Sequence, residues 1–294
     1  MNVLGVLPHP DPGPWAIGPL EIHAFGLSLA VGLLIGVFLA GRRGNKTLGV
    51  PDERVHNLSI LLVIVGWIFS HIFAVVTYEP HAVLENPLIL FEVWGMISSV
   101  GGLIGGIGGF LFWCSRNPEE DHLAWANLAA WMLPIPFFFG RVGCTFAFDH
   151  PGQPAADFAL WNWFHETTGL GPEVFPLAME YFDGQIRHNM GFYEAIIWLA
   201  IIVLFFFLSR KPRRRGLYLW SLALLYGVPR FFLDFLREYP DVLAHGDARY
   251  LGLTPAQYAS IAFVIVGLVL WRKLRDAPIE EWEAYEGSPD TEDN

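Results

Sequence analysis

The residues with chemical potential in this chain are arginines that stand where lipid-like sequence should exclude them. In FFFGRVGCTFAFDHPG, Arg141 follows directly on an apolar run, and Arg187, Arg230, Arg237 and Arg249 stand beside similar runs. A guanidinium near hydrocarbon costs at least a few kcal/mol unless it is paired or lines a polar cavity. Its planar fork of donors suits carboxylate and phosphate oxygens. In GVPRFFLDFLREYPD, Arg230 and Asp234 are four apart, and Arg237 is one further turn on. They therefore share a helix face, where one carboxylate can hold two guanidiniums and leave donors free for a phosphate. The competing readings are a structural ion pair that lets the helix end among headgroups and simple snorkelling at the interface. RHNMGFYEA brings Arg187, His188, Tyr193 and Glu194 to the same level as Arg141, and Glu194 lies inside an apolar run that demands a partner for it. Five such arginines on one face favour a shared anionic site.

The elements that must position these residues follow from composition. The 294 residues are 53% apolar and only 16% charged, too apolar for an ordinary soluble enzyme. Crossing hydrocarbon takes about 20 helical residues. Seven segments qualify, at Ile22–Gly41, Asn57–Val76, Val93–Cys114, Leu123–Gly140, Gly191–Ser209, Gly216–Leu236 and Ala256–Trp271, the fourth and seventh at the short limit. Backbone polar groups find no water in lipid, so such segments are helices or barrel strands, and these lengths suit helices. The expected fold is an all-α membrane protein of seven transmembrane helices.

Thirteen of the eighteen basic residues fall after the first, third, fifth and seventh helices, five of them in SRKPRRRG. The positive-inside bias then puts the N-terminus outside and the C-terminus in the cytoplasm. MNVLGVLPHPDPGPW lacks a basic n-region and is broken by prolines, so it does not read as a cleavable signal peptide. Residues 1–275 form the expected membrane domain. Within it, 144–190 form an extracytoplasmic cap between helices 4 and 5, carrying the aromatic cluster Trp161, Trp163, Phe164 and His165. Residues 276–294, with eight acids and no base, read as a disordered cytoplasmic tail. Cys114 and Cys144 fall on opposite faces of this topology, which disfavours a disulfide. The glycines of GMISSVGGLIGGIGGF, at one-turn spacing, read as helix packing. There is no dinucleotide fingerprint, P-loop or nucleophile elbow. No cofactor, metal or nucleic-acid partner is expected, since no helix reads as presenting paired histidine or carboxylate ligands at metal spacing.

Taken together, GRVG followed by Asp149 and Gly152, WGMISSVGGLIGG, RHNMGFYEA, YGVPRFFLDFLREYPD and LTPAQY resemble the prolipoprotein diacylglyceryl transferase family, in the family's order and across nearly the whole chain. The resemblance implies transfer of the diacylglyceryl group of phosphatidylglycerol to the lipobox cysteine thiol of a preprolipoprotein, in the bacterial inner membrane, with release of glycerol phosphate. It places catalytic roles on Arg141, Arg230, Asp234, Asp149 and His188. Substrate contacts would fall to Gly143, Gly152, Glu194, Tyr193 and Arg237.

The chain departs from the family's pattern in several places. Cys144 replaces an asparagine, Val100 a histidine, Phe25 a tyrosine, Asp149 a glutamate and Asn189 a proline, while Asp234 takes the position of a glutamate. The chemistry needs a thiolate, from a thiol of ordinary pKa about 8.5, and stabilisation of the departing phosphate. Val100 is no base, so His188, Asp149, His150 and His23 are the candidate replacements. The alternative function is a catalytically altered paralogue that binds anionic phospholipid; a channel would want ionisable residues nearer the midplane.

Overall fold

The computed structural model describes residues 14–18, 20–92, 95–147, 151–155, 166–167, 178–181, 184–239 and 249–282. Asp149, His150, the Trp161–His165 aromatic cluster and the end of the acidic tail lie outside the described residues. The chain begins with a hairpin of β1 (Trp15–Ile17) and β2 (Leu20–Ile22), then α1 (Ala24–Thr47), α2 (Asp52–Tyr78), α3 (Pro80–Glu85) and a 3-10 turn at Pro87–Phe91. α4 (Ser99–Arg116), α5 (His122–Met132) and α6 (Pro134–Phe146) follow. After strands β3 (Pro151–Pro154), β4 (Ala178–Glu180) and β5 (Ile186–Asn189) come α7 (Met190–Leu208), α8 (Leu217–Leu233), a 3-10 turn at Asp234–Leu236 and α9 (Pro255–Leu274).

Among the described residues, six helical stretches are long and apolar enough to cross a membrane: α1, α2, α5 with α6, α7, α8 with its 3-10 turn, and α9. This is the architecture of an all-α membrane protein. The chain divides into two units, Met1–Gly36 with Ala126–Glu280, and Val37–Trp125 with Glu281–Asn294.

In the second unit α4 lies against α2, and the reason is the glycine spacing. A Cβ on Gly101 or Gly105 would fall 2.7 and 2.8 Å from the carbonyl oxygens of Phe69 and Val65, so only glycine permits this approach. α4 starts at Ser99, later than the expected Val93. Its approach is extended because Ser98 N–H donates to the Ser70 carbonyl at 3.1 Å and Ser70 Oγ donates to the Ser98 carbonyl at 2.7 Å. The ring nitrogens of buried His71 sit 2.9 Å from the carbonyl oxygens of Met96 and Ile89, fastening the same segment to α2.

In the first unit the expected fourth helix is two helices in sequence. Pro134 and Pro136 remove two N–H donors from the ladder, which breaks α5 from α6 at Leu133. α6 nevertheless continues to Phe146, beyond the expected end at Gly140, so Arg141 stands inside a helix. Between α6 and α7 the chain contributes an antiparallel sheet with β5 in the centre, flanked by β3 and β4. β5 runs directly into α7, where Asn189 Oδ1 accepts from Phe192 N–H at 2.9 Å as the N-cap. The expected tail from Asp276 begins with a described stretch: Arg215 N–H donates to the Pro278 carbonyl, and Asn127 Nδ2 donates to Glu280.

Candidate functional site

The site lies entirely in the first unit and starts from one glycine. A Cβ on Gly191 would stand 2.9 Å from the Thr145 nitrogen and 3.2 Å from the Arg141 carbonyl oxygen, so α7 can rest on the backbone of α6 only with glycine there. Glu194, three residues on, shares that face of α7. Its Oε2 is 3.1 Å from Arg141 Nε. From α8, Arg230 Nε lies 3.6 Å from the same oxygen, and Tyr226, one turn before Arg230, donates its hydroxyl to it at 2.8 Å. Oε1 of Glu194 is buried and makes no hydrogen bond among the described residues. The side chains of Glu194, Arg230 and Arg141 are 1%, 7% and 11% exposed.

Asp234 is the second anion. It accepts from Arg230 Nη1 and from the Thr254 hydroxyl, and Arg237 Nε lies 3.7 Å away. Thr254 and Gln257 form a reciprocal cap on α9: Thr254 Oγ1 accepts from Gln257 N–H at 3.1 Å and Gln257 Oε1 from Thr254 N–H at 2.9 Å. Gln257 Nε2 also donates to the Phe231 carbonyl at 3.2 Å, so the start of α9 is held against the end of α8. The LTPAQY block therefore secures Asp234, and Asp234 secures two arginines.

The result is a chain of buried charges, Arg141, Glu194, Arg230, Asp234 and Arg237, in that order of contact. Among the described residues three guanidiniums meet two carboxylates in this chain of contacts. Guanidiniums gathered in a low-dielectric setting favour an anion whose oxygens they can hydrogen-bond. A phosphodiester carries one negative charge and oxygens that match the guanidinium fork.

The other two arginines singled out from sequence, Arg187 and Arg249, have different work. Arg187 pairs with Glu238 at 2.5 Å and donates to the Gly152 carbonyl at 3.1 Å, tying β5 to β3 and to the chain after α8. Arg249 donates to the Arg237 carbonyl at 3.2 Å and stacks over Tyr239 at 4.3 Å. Gly152 is required for close packing, because a Cβ there would stand 2.6 Å from both Cβ and O of His188. Gly143 plays the same part between α6 and α1, where a Cβ would stand 2.8 Å from Phe25 Cα. Cys144 is buried, with Sγ 4.0 Å from Arg141 Nη1. His188 is buried and its Nδ1 lies 2.9 Å from the Tyr193 hydroxyl. Burial pushes the His188 imidazole down to about 4, so it is uncharged at neutral pH. Burial, and then the charge of Arg230, push Arg237 down to about 10. His23 is exposed just before α1.

Of the residues singled out from sequence, the structure brings Arg141, Glu194, Arg230, Asp234 and Arg237 into one contact chain and sets Arg187, His188 and Tyr193 apart from it in contacts of their own. Sequence reasoning missed Tyr226, Glu238, Thr254 and Gln257. Tyr226 carried a usable signal, since its spacing of four from Arg230 places both on one face. Glu238 carried none, because its partner Arg187 is remote in sequence.

Comparison with known proteins identifies relatives along nearly the whole chain. The family model for prolipoprotein diacylglyceryl transferase matches residues 12–273. The chain is 32% identical over 277 residues to the phosphatidylglycerol–prolipoprotein diacylglyceryl transferase of Pseudomonas putida, covering 90% of this chain and 95% of that protein. It is 30% identical over 280 residues to the enzyme of that name from Chromohalobacter salexigens, covering 93% and 96%. The Janthinobacterium enzyme is 29% identical over 276 residues, covering 90% and 95%. A family model matched over residues 12–273 and a relative 32% identical over 90% of this chain have one conclusion: the chain belongs to the prolipoprotein diacylglyceryl transferase family.

Proposed function

We propose that this protein transfers the diacylglyceryl group of phosphatidylglycerol to the lipobox cysteine of preprolipoproteins at the outer face of the bacterial inner membrane. The observation that carries the reading is the buried gathering of three guanidiniums, Arg141, Arg230 and Arg237, around Glu194 and Asp234. The oxygens of a phosphodiester lipid match the donor forks of these arginines. Arg141 and Arg230 each present Nε to Glu194, which orients the guanidiniums without occupying their whole donor edge. Oε1 of Glu194, without a hydrogen bond among the described residues, is an acceptor suited to a hydroxyl of the glycerol headgroup.

In the reaction a thiolate sulfur attacks the glyceryl carbon, a C–S bond forms as the C–O bond to phosphate breaks, and glycerol phosphate leaves. Charge builds on the departing phosphate, where preorganised guanidiniums act most strongly in a water-poor site. The thiol proton needs a base. His188, uncharged at neutral pH and ordered by Tyr193, supplies one, and Asp149, outside the described residues, is the other candidate. Gly143 and Gly152 contribute by close packing that holds Arg141 and His188 in place.

The topology that suits this reading has seven crossings, with the N-terminus outside, a periplasmic cap at 144–190 and a cytoplasmic tail from 276. α4 is the seventh crossing. Its 18 residues span roughly 27 Å at about 1.5 Å per residue, and its glycine face is already committed to α2.

The test is diacylglyceryl transfer from phosphatidylglycerol to a lipobox peptide by the purified protein, with Arg141→Ala and Arg230→Ala alongside. Turnover in the parent and its loss in both variants supports the enzyme. Arginine-dependent lipid binding without turnover would replace it with a lipid-binding paralogue.

A further inference from the structure

The second unit holds a polar cluster that the transferase reading does not use. α1 and α2 form a hairpin joined by residues 48–51. A Cβ on Gly41 would stand 2.7 Å from His56 Nε2 and 3.3 Å from Asp52 Oδ1, so both atoms border the small space that glycine leaves on α1. Asp52 and His56 are four apart on one face of α2, and Asn45, four on from Gly41, shares the Gly41 face of α1. Asn45 is 8% exposed. Asn45 Oδ1, Asp52 Oδ1 and His56 Nε2 are each buried and make no hydrogen bond among the described residues. Orphaned buried polar atoms cost about 1–3 kcal/mol each, and three at one hairpin call for an occupant. Nearby cations are engaged elsewhere: Arg54 with Glu120 at 2.5 Å, Lys46 over Trp282 at 4.4 Å and Arg42 over Phe38 at 5.0 Å.

We propose that Asn45, Asp52 and His56 bind a divalent transition-metal ion, with zinc as the first candidate. One imidazole nitrogen, one carboxylate oxygen and one amide oxygen form a mixed N/O set that suits zinc or its first-row neighbours, whereas magnesium and calcium favour oxygen alone. A water completes four-coordination. No three of His, Cys, Asp and Glu gather among the described residues, so the third protein ligand is the amide. A metal here departs from the sequence expectation of none: Asp52 and His56 stand four apart on α2. The ion ties α1 to α2, and the site stands independently of the transferase reading.

The full-length protein in detergent, stripped with chelator, is titrated with zinc while bound metal and unfolding temperature are recorded; cobalt(II) absorption reports the ligand geometry. One equivalent of zinc should bind and raise the unfolding temperature. Asp52→Asn and His56→Ala should each weaken binding at least tenfold, and exposed His81→Ala should leave it unchanged. Asn45→Asp, which adds a carboxylate, should tighten binding, a gain that a misfolded variant cannot produce. Absence of zinc binding in the parent, or equal binding in all four variants, overturns the site and leaves a cluster bridged by water.

Discussion

Arg141 Nε and Glu194 Oε2 meet at 3.1 Å because Gly191, three residues before Glu194, lets α7 rest on the backbone of α6. A Cβ at Gly191 meets backbone atoms, which cannot rotate away. Gly191→Ala is therefore expected to destabilise the protein by about 1–3 kcal/mol and to lower transfer activity with it. Thermal unfolding in detergent and the transfer assay check both; an unchanged unfolding temperature would contradict the packing argument.

Glu194→Gln keeps an acceptor for Tyr226 but removes the charge that Arg141 and Arg230 share. Breaking one side of a buried ion pair costs about 3–5 kcal/mol, so transfer should fall by well over tenfold. Tyr226→Phe removes one hydrogen bond, worth about 1 kcal/mol, and should cost about fivefold to tenfold. A larger loss from the tyrosine than from the glutamate would reverse this ranking.

The cluster's hold on an anion is testable through Arg237. Arg237→Gln removes one guanidinium from it. Added phosphatidylglycerol should raise the parent's unfolding temperature and have a smaller effect on the variant. Equal lipid stabilisation of the two proteins would show that Arg237 does not help to hold the phosphate.

His188 sets a pH dependence with a definite sign. Its folded value, about 4, lies below the ordinary value of 6.5, so the unfolded chain takes up the proton first as pH falls. Stability is fully present above about pH 6.5 and is lost between there and about pH 4, by an amount on the order of 3 kcal/mol. His188→Gln should flatten this slope. Unfolding midpoints at about pH 7.5 and about pH 5, on either side of the ordinary histidine value, make the comparison, and an identical slope in parent and variant would rule His188 out as its source.

Composition and local spacing were enough to read helices in lipid, because a crossing helix must satisfy its backbone internally and advertise its length in apolar residues. The same logic marked Arg141, Arg230 and Glu194 as residues out of place, and i,i+4 spacing joined Arg230 to Asp234 before any fold was known. Local pattern was less able to locate breaks and starts. Pro134 and Pro136 divide α5 from α6, and the start of α4 depends on hydrogen bonds to Ser70 and His71, which sit on another helix.

The amino-acid sequence by itself determined a membrane protein with arginines and their carboxylates near the ends of its helices, since hydropathy and charge act locally and add along the chain. Only the tertiary structure decided that Glu194 serves both Arg141 and Arg230, that Thr254 and Gln257 anchor Asp234, that Arg187 belongs to Glu238, and that Asn45, Asp52 and His56 keep buried atoms without hydrogen bonds among the described residues. Those pairings depend on which helix faces meet and how closely, and that is set by glycines whose effect appears only when a second backbone arrives against them.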